Sequence, residues 1–257
     1  MPHLIHDNIA LIAPKQFKEQ PGAFITNTIT GHKTVSAYDI NYIFPLYLYS
    51  EVYKKDLFSY LRDSSRRESN IGQNINNALA EAYKKEPLPE EVFYYVYALL
   101  YSNIYRSKYV QFIKIDFPRV PFAKEYRLFS KIAEHGKSLV ELHLLKSKEL
   151  ENPVARFRRE GENKVEKVRY GEGCVRINDK QYFEGVEPEV WEYQIGGYKV
   201  CDKWLKDRKG RKLSLEEIKH YCKIVTALAK TISIQKEIDR LYPKVEESAI
   251  DFHDFVH

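Results

Sequence analysis

Residues 191–221 read WEYQIGGYKVCDKWLKDRKGRKLSLEEIKHY, and the punctuation of this stretch decides the fold. Gly196-Gly197 is a tight-turn signal. The KVCDKWLKDR segment that follows has the composition of a short helix. Ser214 and Glu217 then form an S-x-x-E capping box, with Leu213 and Ile218 placed to staple it. Ile218, Tyr221, Val225, Leu228 and Ile232 recur at three- to four-residue spacing, the period of one helix face, and Pro243 predicts the helix end. The stripe reads as a core seam in preference to a docking face. Both tryptophans of the chain, Trp191 and Trp204, lie here. They read as anchors packing a short strand and a helix onto a sheet, not as base-stacking platforms.

Upstream, from Asn152, the texture is that of strands: VARFRRE, NKVEKVRYG, GCVRIN, KQYFEG and VWEYQIGG, separated by turn signals such as Glu160-Gly161 and Asn178-Asp179. Short runs with close turns predict a compact antiparallel sheet. The first half of the chain is different. IALIA (9–13), AFITNTIT (23–30) and INYIFPLYLY (40–49) predict strands, and the polar stretch 51–69 predicts a loop. Helices are expected from Asn70 (a cap) to Lys85, over 88–102, and from Ala123 to Leu145. Pro89 and two acids in the first turn mark the second of these, which is apolar nearly all round and so predicted to be buried. The segment 110–122 reads as irregular. The expected architecture is α+β, with residues 1–150 forming a lobe of strands then helices. Residues 151–257 are expected to form an antiparallel sheet with a basic loop and a long C-terminal helix.

The whole chain has 257 residues, 44% of them hydrophobic and 30% charged, values normal for a globular protein with a real core. No apolar run approaches the ~20 residues of a membrane span. Cys174, Cys201 and Cys222 are widely spaced without a C-x-x-C, which predicts reduced thiols in a cytoplasmic protein and neither a disulfide framework nor a zinc site. Twenty tyrosines and a net charge of +5 suit a phosphate-bearing partner, although tyrosines also fill cores.

The positive charge is concentrated. Lys203, Lys206, Arg208, Lys209, Arg211 and Lys212 place six cations in ten residues, with Asp207 the one acid among them. Arg156, Arg158, Arg159, Lys164, Lys167, Arg169 and Arg176 stud the predicted strands, interleaved with four glutamates. Arg156 and Arg158 alternate with apolar neighbours, which puts both on one sheet face, where an arginine fork can read guanine or grip phosphate. Arg62, Arg66 and Arg67 form a third cluster in the polar loop. A solvated basic loop is the competing reading for each run taken alone.

Catalytic signatures are missing. There is no G-x-G-x-x-G, no G-x-S-x-G and no Asn-Pro-Pro-aromatic motif. HGKS at 135–138 echoes the end of a P-loop, but Lys131 occupies its first glycine position and the segment is predicted to be mid-helix. His253 and His257 with Asp251 and Asp254 have metal-ligand spacing, yet a frayed terminus explains them as well. Glu217-Ile218-Lys219 has nuclease-like local spacing, but the capping box already accounts for Glu217.

The phrases NYIFPLYLY (41–49), YYVYALLYSNIYRSKYVQFIKIDFPRVPF (94–122) and WEYQIGGYKVCDKWLKDRKGRKLSLEEIKHY (191–221) resemble the C-terminal specificity region of Type ISP restriction–modification enzymes, with Type IIG enzymes behind them. The likeness runs from about Asn8 to Leu241 in the family's order. It implies a sequence-specific duplex DNA recognition domain, excised or naturally detached, that presents a target adenine to a methyltransferase domain of the same polypeptide or a partner subunit. It also implies S-adenosylmethionine, ATP and magnesium for the parent enzyme, and no cofactor and no catalytic residue in this chain. Base-reading positions vary within the family and do not transfer, so the site candidates remain the three basic clusters. The alternatives are a protein-interaction module and a nuclease with an unrecognised magnesium site. Within the DFPR phrase, Asp116 and Arg119 are flanked by Phe117, Val120 and Phe122 and read as a packed turn.

Overall fold

The computed structural model describes residues 2–16, 22–31, 40–49 and 67–252. A nearly continuously buried central strand builds the first sheet. β1 (Ala10–Pro14) lies between β2 (Phe24–Thr26) and β3 (Asn41–Pro45), antiparallel to both, with Leu11 opposite Ile25 and Phe44. Pro45 ends β3, and the chain resumes as β4 (Tyr47–Tyr49), which leaves that sheet to pair with β5 (Arg67–Ser69). A proline contributes no N–H to a ladder, so one predicted run becomes two strands in two sheets. The end of the predicted polar loop is also strand.

Helix α1 (Gln73–Tyr83) starts at Gly72, because the Asn70 amide is spent on the Pro45 carbonyl at 2.9 Å. α2 (Pro89–Tyr101) begins as the sequence predicts, with Pro89 in its first turn and the Glu91 carboxylate accepting from the Leu88 N–H at 2.8 Å. Two short helices, α3 (Asn103–Lys108) and α4 (Val110–Ile113), precede the irregular segment up to Phe122. α5 (Tyr126–His143) lies against α2 so closely that Gly136 is obligatory: a Cβ there would sit 1.9 Å from the Tyr94 carbonyl oxygen.

The second sheet has the order β6-β9-β8-β7, from β6 (Arg156–Arg158), β7 (Arg169–Gly171), β8 (Cys174–Arg176) and β9 (Tyr182–Glu184), all antiparallel. Glu172 and Gly173, both at positive φ (52° and 70°), make the two-residue turn between β7 and β8. The Asn178 side chain accepts from the Lys180 and Gln181 N–H groups and closes the turn into β9. VWEYQIGG is not one strand. Pro188 starts a helical turn, α6 (Pro188–Trp191), and a hairpin of β10 (Gln194–Ile195) and β11 (Tyr198–Lys199) follows. Gly196 makes its turn with φ 58°, and Gly22 approaches the same point so closely that a Cβ would meet the Gly196 nitrogen at 2.6 Å.

After α7 (Val200–Lys206) comes α8 (Leu215–Glu247), whose N-terminus has the predicted capping box: the Ser214 hydroxyl accepts from the Glu217 N–H at 3.1 Å and the Glu217 carboxylate from the Ser214 N–H at 3.0 Å. Ile218, Tyr221, Val225 and Leu228 are buried in a core with Phe183, Val175, Trp191 and Leu205. The helix then continues into a second core, where Ile238, Tyr242 and Val245 join the residues of α2 and α5. Pro243 does not end it. Pro243 is exposed while Tyr242 and Val245 are fully buried, so packing outweighs the one hydrogen bond that proline cannot donate. Polar groups of α8 also satisfy the α2–α3 junction. Gln235 donates to the Tyr101 carbonyl at 2.8 Å, and Asp239 accepts from Ser102 (2.7 Å), Asn103 (2.9 Å) and the Ile104 N–H (3.3 Å).

Candidate nucleic-acid interface

Strand register sorts the β6–β9 sheet into two faces. Phe157, Phe183, Val175 and Tyr170 are paired in succession across the four strands and point inward. Phe183 packs 4.4 Å from the Tyr221 ring of α8, and Tyr170 stacks on Trp191 at 5.1 Å. The neighbouring row must then face outward. It reads Arg158, Tyr182, Arg176, Arg169, one residue from each strand. Arg156 stands two residues along β6 on the same face, opposite Glu184. The alternation that predicts a shared face for Arg156 and Arg158 holds, and the structure adds Arg169, Arg176 and Tyr182 to it.

The arginines of this row differ in their surroundings. Arg158 is ion-paired to Glu184 at 2.5 Å, and the guanidinium holds that carboxyl below its usual range. Arg169 reaches Asp179 at 3.6 Å, with both groups exposed. Arg176 lies directly across from Arg169, a like-charge pairing that costs stability in a sheet. Its guanidinium rests 5.1 Å from the centre of the Tyr182 ring. Arg159 follows β6 at φ 74°, exposed, with its carbonyl held by Gln181.

The two basic concentrations, separated by some thirty residues of sequence, meet in space. Val165 accepts from the Gly210 N–H (2.7 Å) and donates to the Arg211 carbonyl (2.9 Å), Lys164 bridges Lys212, and Leu213 donates to Asn163. Glu166 and Lys167 donate to the Ile177 carbonyl at the end of β8. The basic loop is therefore stitched beside the arginine face, with Lys167 and Lys209 exposed. Gln181, 1% exposed, is the buried hub of this corner: it bonds Arg159, Asn163 and Asn178 together. No signal in the sequence marks Gln181; a polar residue beside a turn reads as solvated.

Within the basic loop the charges are less free than the sequence suggests. Lys203 pairs with Asp207 (2.5 Å), Lys206 with Asp202 (2.7 Å) and Lys212 with Glu162 (2.9 Å). Arg208 and Arg211 share Glu217 at 3.1 and 3.2 Å. The Ser214 N–H and these guanidiniums hold that carboxyl below its usual range. Arg208 also lies 3.6 Å over the Trp204 ring, which is half-buried, whereas Trp191 is buried. Lys209 alone of the six has no ion-pair partner among the described residues. Of the third cluster, Arg67 is on β5, 4.3 Å over the Tyr47 ring, and Arg62 and Arg66 lie outside the described residues. So do His253 and His257. Among the described residues no group of three or more His, Cys, Asp or Glu converges as a metal site, and no helix is long and apolar enough to cross a membrane.

In the DFPR phrase the apolar residues Phe117 and Val120 are half-buried, while Asp116 and Arg119 are exposed. Asp116 accepts from the Phe117 N–H, Phe117 meets Tyr42 and Phe44 edge-on, and the Arg119 carbonyl accepts from Tyr105.

The family model for the Type ISP C-terminal specificity domain matches residues 1–237. The chain belongs to that family. Comparison with curated proteins gives no match. Among solved structures, the fold is similar to that of a nuclease-deletion mutant of the Type ISP restriction–modification enzyme LlaGI in complex with a DNA substrate mimic, with a TM-score of 0.63 and 18% identity over 91% of this chain and 21% of that one. It is also similar to the ATP-dependent Type ISP enzyme LlaBIII bound to DNA (0.62, 20%, 96% and 16%) and to a DrdV–DNA complex (0.62, 18%, 94% and 24%). This Type ISP specificity domain thus spans a quarter or less of each of those chains.

Proposed function

We propose that this chain recognises a duplex DNA sequence through the outer face of the β6–β9 sheet and the basic loop beside it. The observation that carries the reading is the row Arg158, Tyr182, Arg176, Arg169. Like charges kept adjacent on an exposed sheet lower stability, and an anionic partner is what turns that cost into binding. The similar folds in LlaGI, LlaBIII and DrdV, each described bound to DNA or a DNA mimic, support the choice of partner. Under this reading Arg156, Arg158, Arg159, Lys164, Lys167, Arg169 and Arg176 meet the duplex from the sheet. Lys203, Lys206, Arg208, Lys209, Arg211 and Lys212 hold phosphate, with Arg62, Arg66 and Arg67 as further candidates.

The domain's task in a parent enzyme is to set a target adenine before a methyltransferase domain. S-adenosylmethionine, ATP and magnesium act in other domains, whose motifs this sequence lacks. The chemistry here is electrostatic and positional. Phosphate contacts fix the register and base-edge contacts choose the sequence.

The test is binding of the full chain to duplex DNA across salt concentration. Neutralised phosphates release counterions, so log K falls steeply with log salt between ~50 and 200 mM. A flat plot removes the reading.

A further inference from the structure

We propose that Arg176, braced on Tyr182, is the specificity-determining residue of this face and reads a guanine in the major groove; this rests on the DNA-binding reading above. Four observations single it out. β8 is an interior strand of the β6-β9-β8-β7 order, so Arg176 projects from the middle of the face while Arg156 and Arg158 stand on the edge strand. The Arg158 fork is occupied by Glu184, whereas Arg176 has no carboxylate partner among the described residues. Its guanidinium carbon lies 5.1 Å from the centre of the Tyr182 ring, a contact that narrows the positions open to the fork before any ligand arrives. Val175 and Ile177, its neighbours in sequence, are fully buried, so the backbone that aims it is anchored.

Guanine offers two acceptors, O6 and N7, spaced for the two parallel N–H groups of a guanidinium, and no other base edge in the major groove does so. A planar fork on an interior strand of an exposed basic face is the group suited to that edge. A lysine at 176 keeps the charge and loses the fork. Arg158 and Arg169, drawn toward Glu184 and Asp179, then serve the flanking phosphates.

The experiment is selection by the full chain from a library of randomised duplexes, followed by binding to the enriched duplex and to a scrambled one. Wild type is expected to enrich a motif containing a G·C pair. Arg176→Lys is expected to lose the preference at that one pair, with a roughly 5- to 150-fold loss on the enriched duplex and little change on the scrambled duplex. Tyr182→Leu, which removes the brace, is expected to weaken the same preference, and Tyr182→Phe to keep it. The melting curves of all variants check that the sheet is intact. If Arg176→Lys enriches the same motif as wild type, or if wild type binds duplex without enriching any motif, the assignment of Arg176 falls while duplex binding stands. If wild type binds no duplex at all, the DNA-binding reading falls first.

Discussion

The first core and the outer face of the β6–β9 sheet use tyrosine for opposite ends. In the first, Tyr95, Tyr97, Tyr101, Tyr105 and Tyr242 are fully buried. Each hydroxyl has a protein partner: the carbonyls of Pro121, Ala23 and Arg119 for Tyr95, Tyr101 and Tyr105, Glu246 for Tyr242, and His143 for Tyr97. On the sheet, Tyr221 is buried beneath the strands like the tyrosines of the first core, whereas Tyr182 lies on the outer face under an arginine. An abundance of tyrosine therefore says little about partners. Register says more, because it decides which ring faces the core and which faces solvent. The comparison yields a sharp expectation: substitutions in the buried networks change stability and leave DNA preference alone, and substitutions on the arginine face do the reverse.

The largest expected effects test the buried side. Gly136→Ala drives a methyl group into the Tyr94 backbone, which cannot move without separating α2 from α5. Destabilisation at or beyond the top of the ~1–3 kcal/mol range for overpacking is expected in urea unfolding. Trp191→Ala, in the second core, is expected to cost ~3–5 kcal/mol. The sequence alone predicts the same for Trp204. The structure lowers that figure, because Trp204 is half-buried and its outer side is covered by the Arg208 guanidinium. Equal losses for the two tryptophans would show that the Arg208 contact matters as much as burial.

Much of this layout is legible in the residues. The capping box at Ser214 and Glu217, the helix face beginning at Ile218, the Asn178 turn and the alternation at Arg156 and Arg158 are local patterns, and local patterns fix local structure. What is not legible is pairing at a distance. Nothing in VEKVRYG says that Val165 will exchange backbone hydrogen bonds with Gly210 and Arg211, or that Arg176 will come to lie against Tyr182. Glu217 is legible as a cap but not as the shared partner of Arg208 and Arg211. The continuation of α8 past Pro243 depends on a core assembled by residues more than a hundred positions away, so a local proline rule misreads it.

A pH experiment probes the buried side from another direction. The His143 ring is half-buried, held between the Tyr97 hydroxyl (2.8 Å) and the Thr231 hydroxyl (2.8 Å), and desolvation pushes its pKa down to about 3. In the unfolded chain it returns to an ordinary value near ~6.5. Below that value the unfolded chain binds a proton that the folded chain refuses, so stability present above pH ~6.5 is lost as pH falls toward 3. The slope approaches ~1.4 kcal/mol per pH unit and is best read between pH 6 and 5, before unfolded carboxylates titrate. Partial burial depresses His135 and His220 in the same direction. His143→Gln is therefore the control: it should lower stability at pH 7 and flatten the slope without abolishing it. An unchanged slope would mean that His143 is not the neutral group described.

The smallest effect separates the charges of the basic loop. Lys203 is held at 2.5 Å by Asp207, whereas Lys209 is exposed without an ion-pair partner among the described residues. A lysine already neutralised within the protein releases fewer counterions from DNA than a free one, because part of its charge is spent before binding. Lys209→Gln should therefore flatten the slope of log K against log salt by up to ~1. Lys203→Gln should flatten it less, since Asp207 already neutralises part of that charge in the free protein. Neither should shift the melting curve by more than about 1 kcal/mol, because exposed ion pairs contribute little. Both should weaken enriched and scrambled duplexes alike, as phosphate contacts do. If Lys203→Gln and Lys209→Gln flatten the slope equally, the Lys203–Asp207 pair opens on binding DNA, and the loop rearranges instead of presenting a fixed pattern of charge.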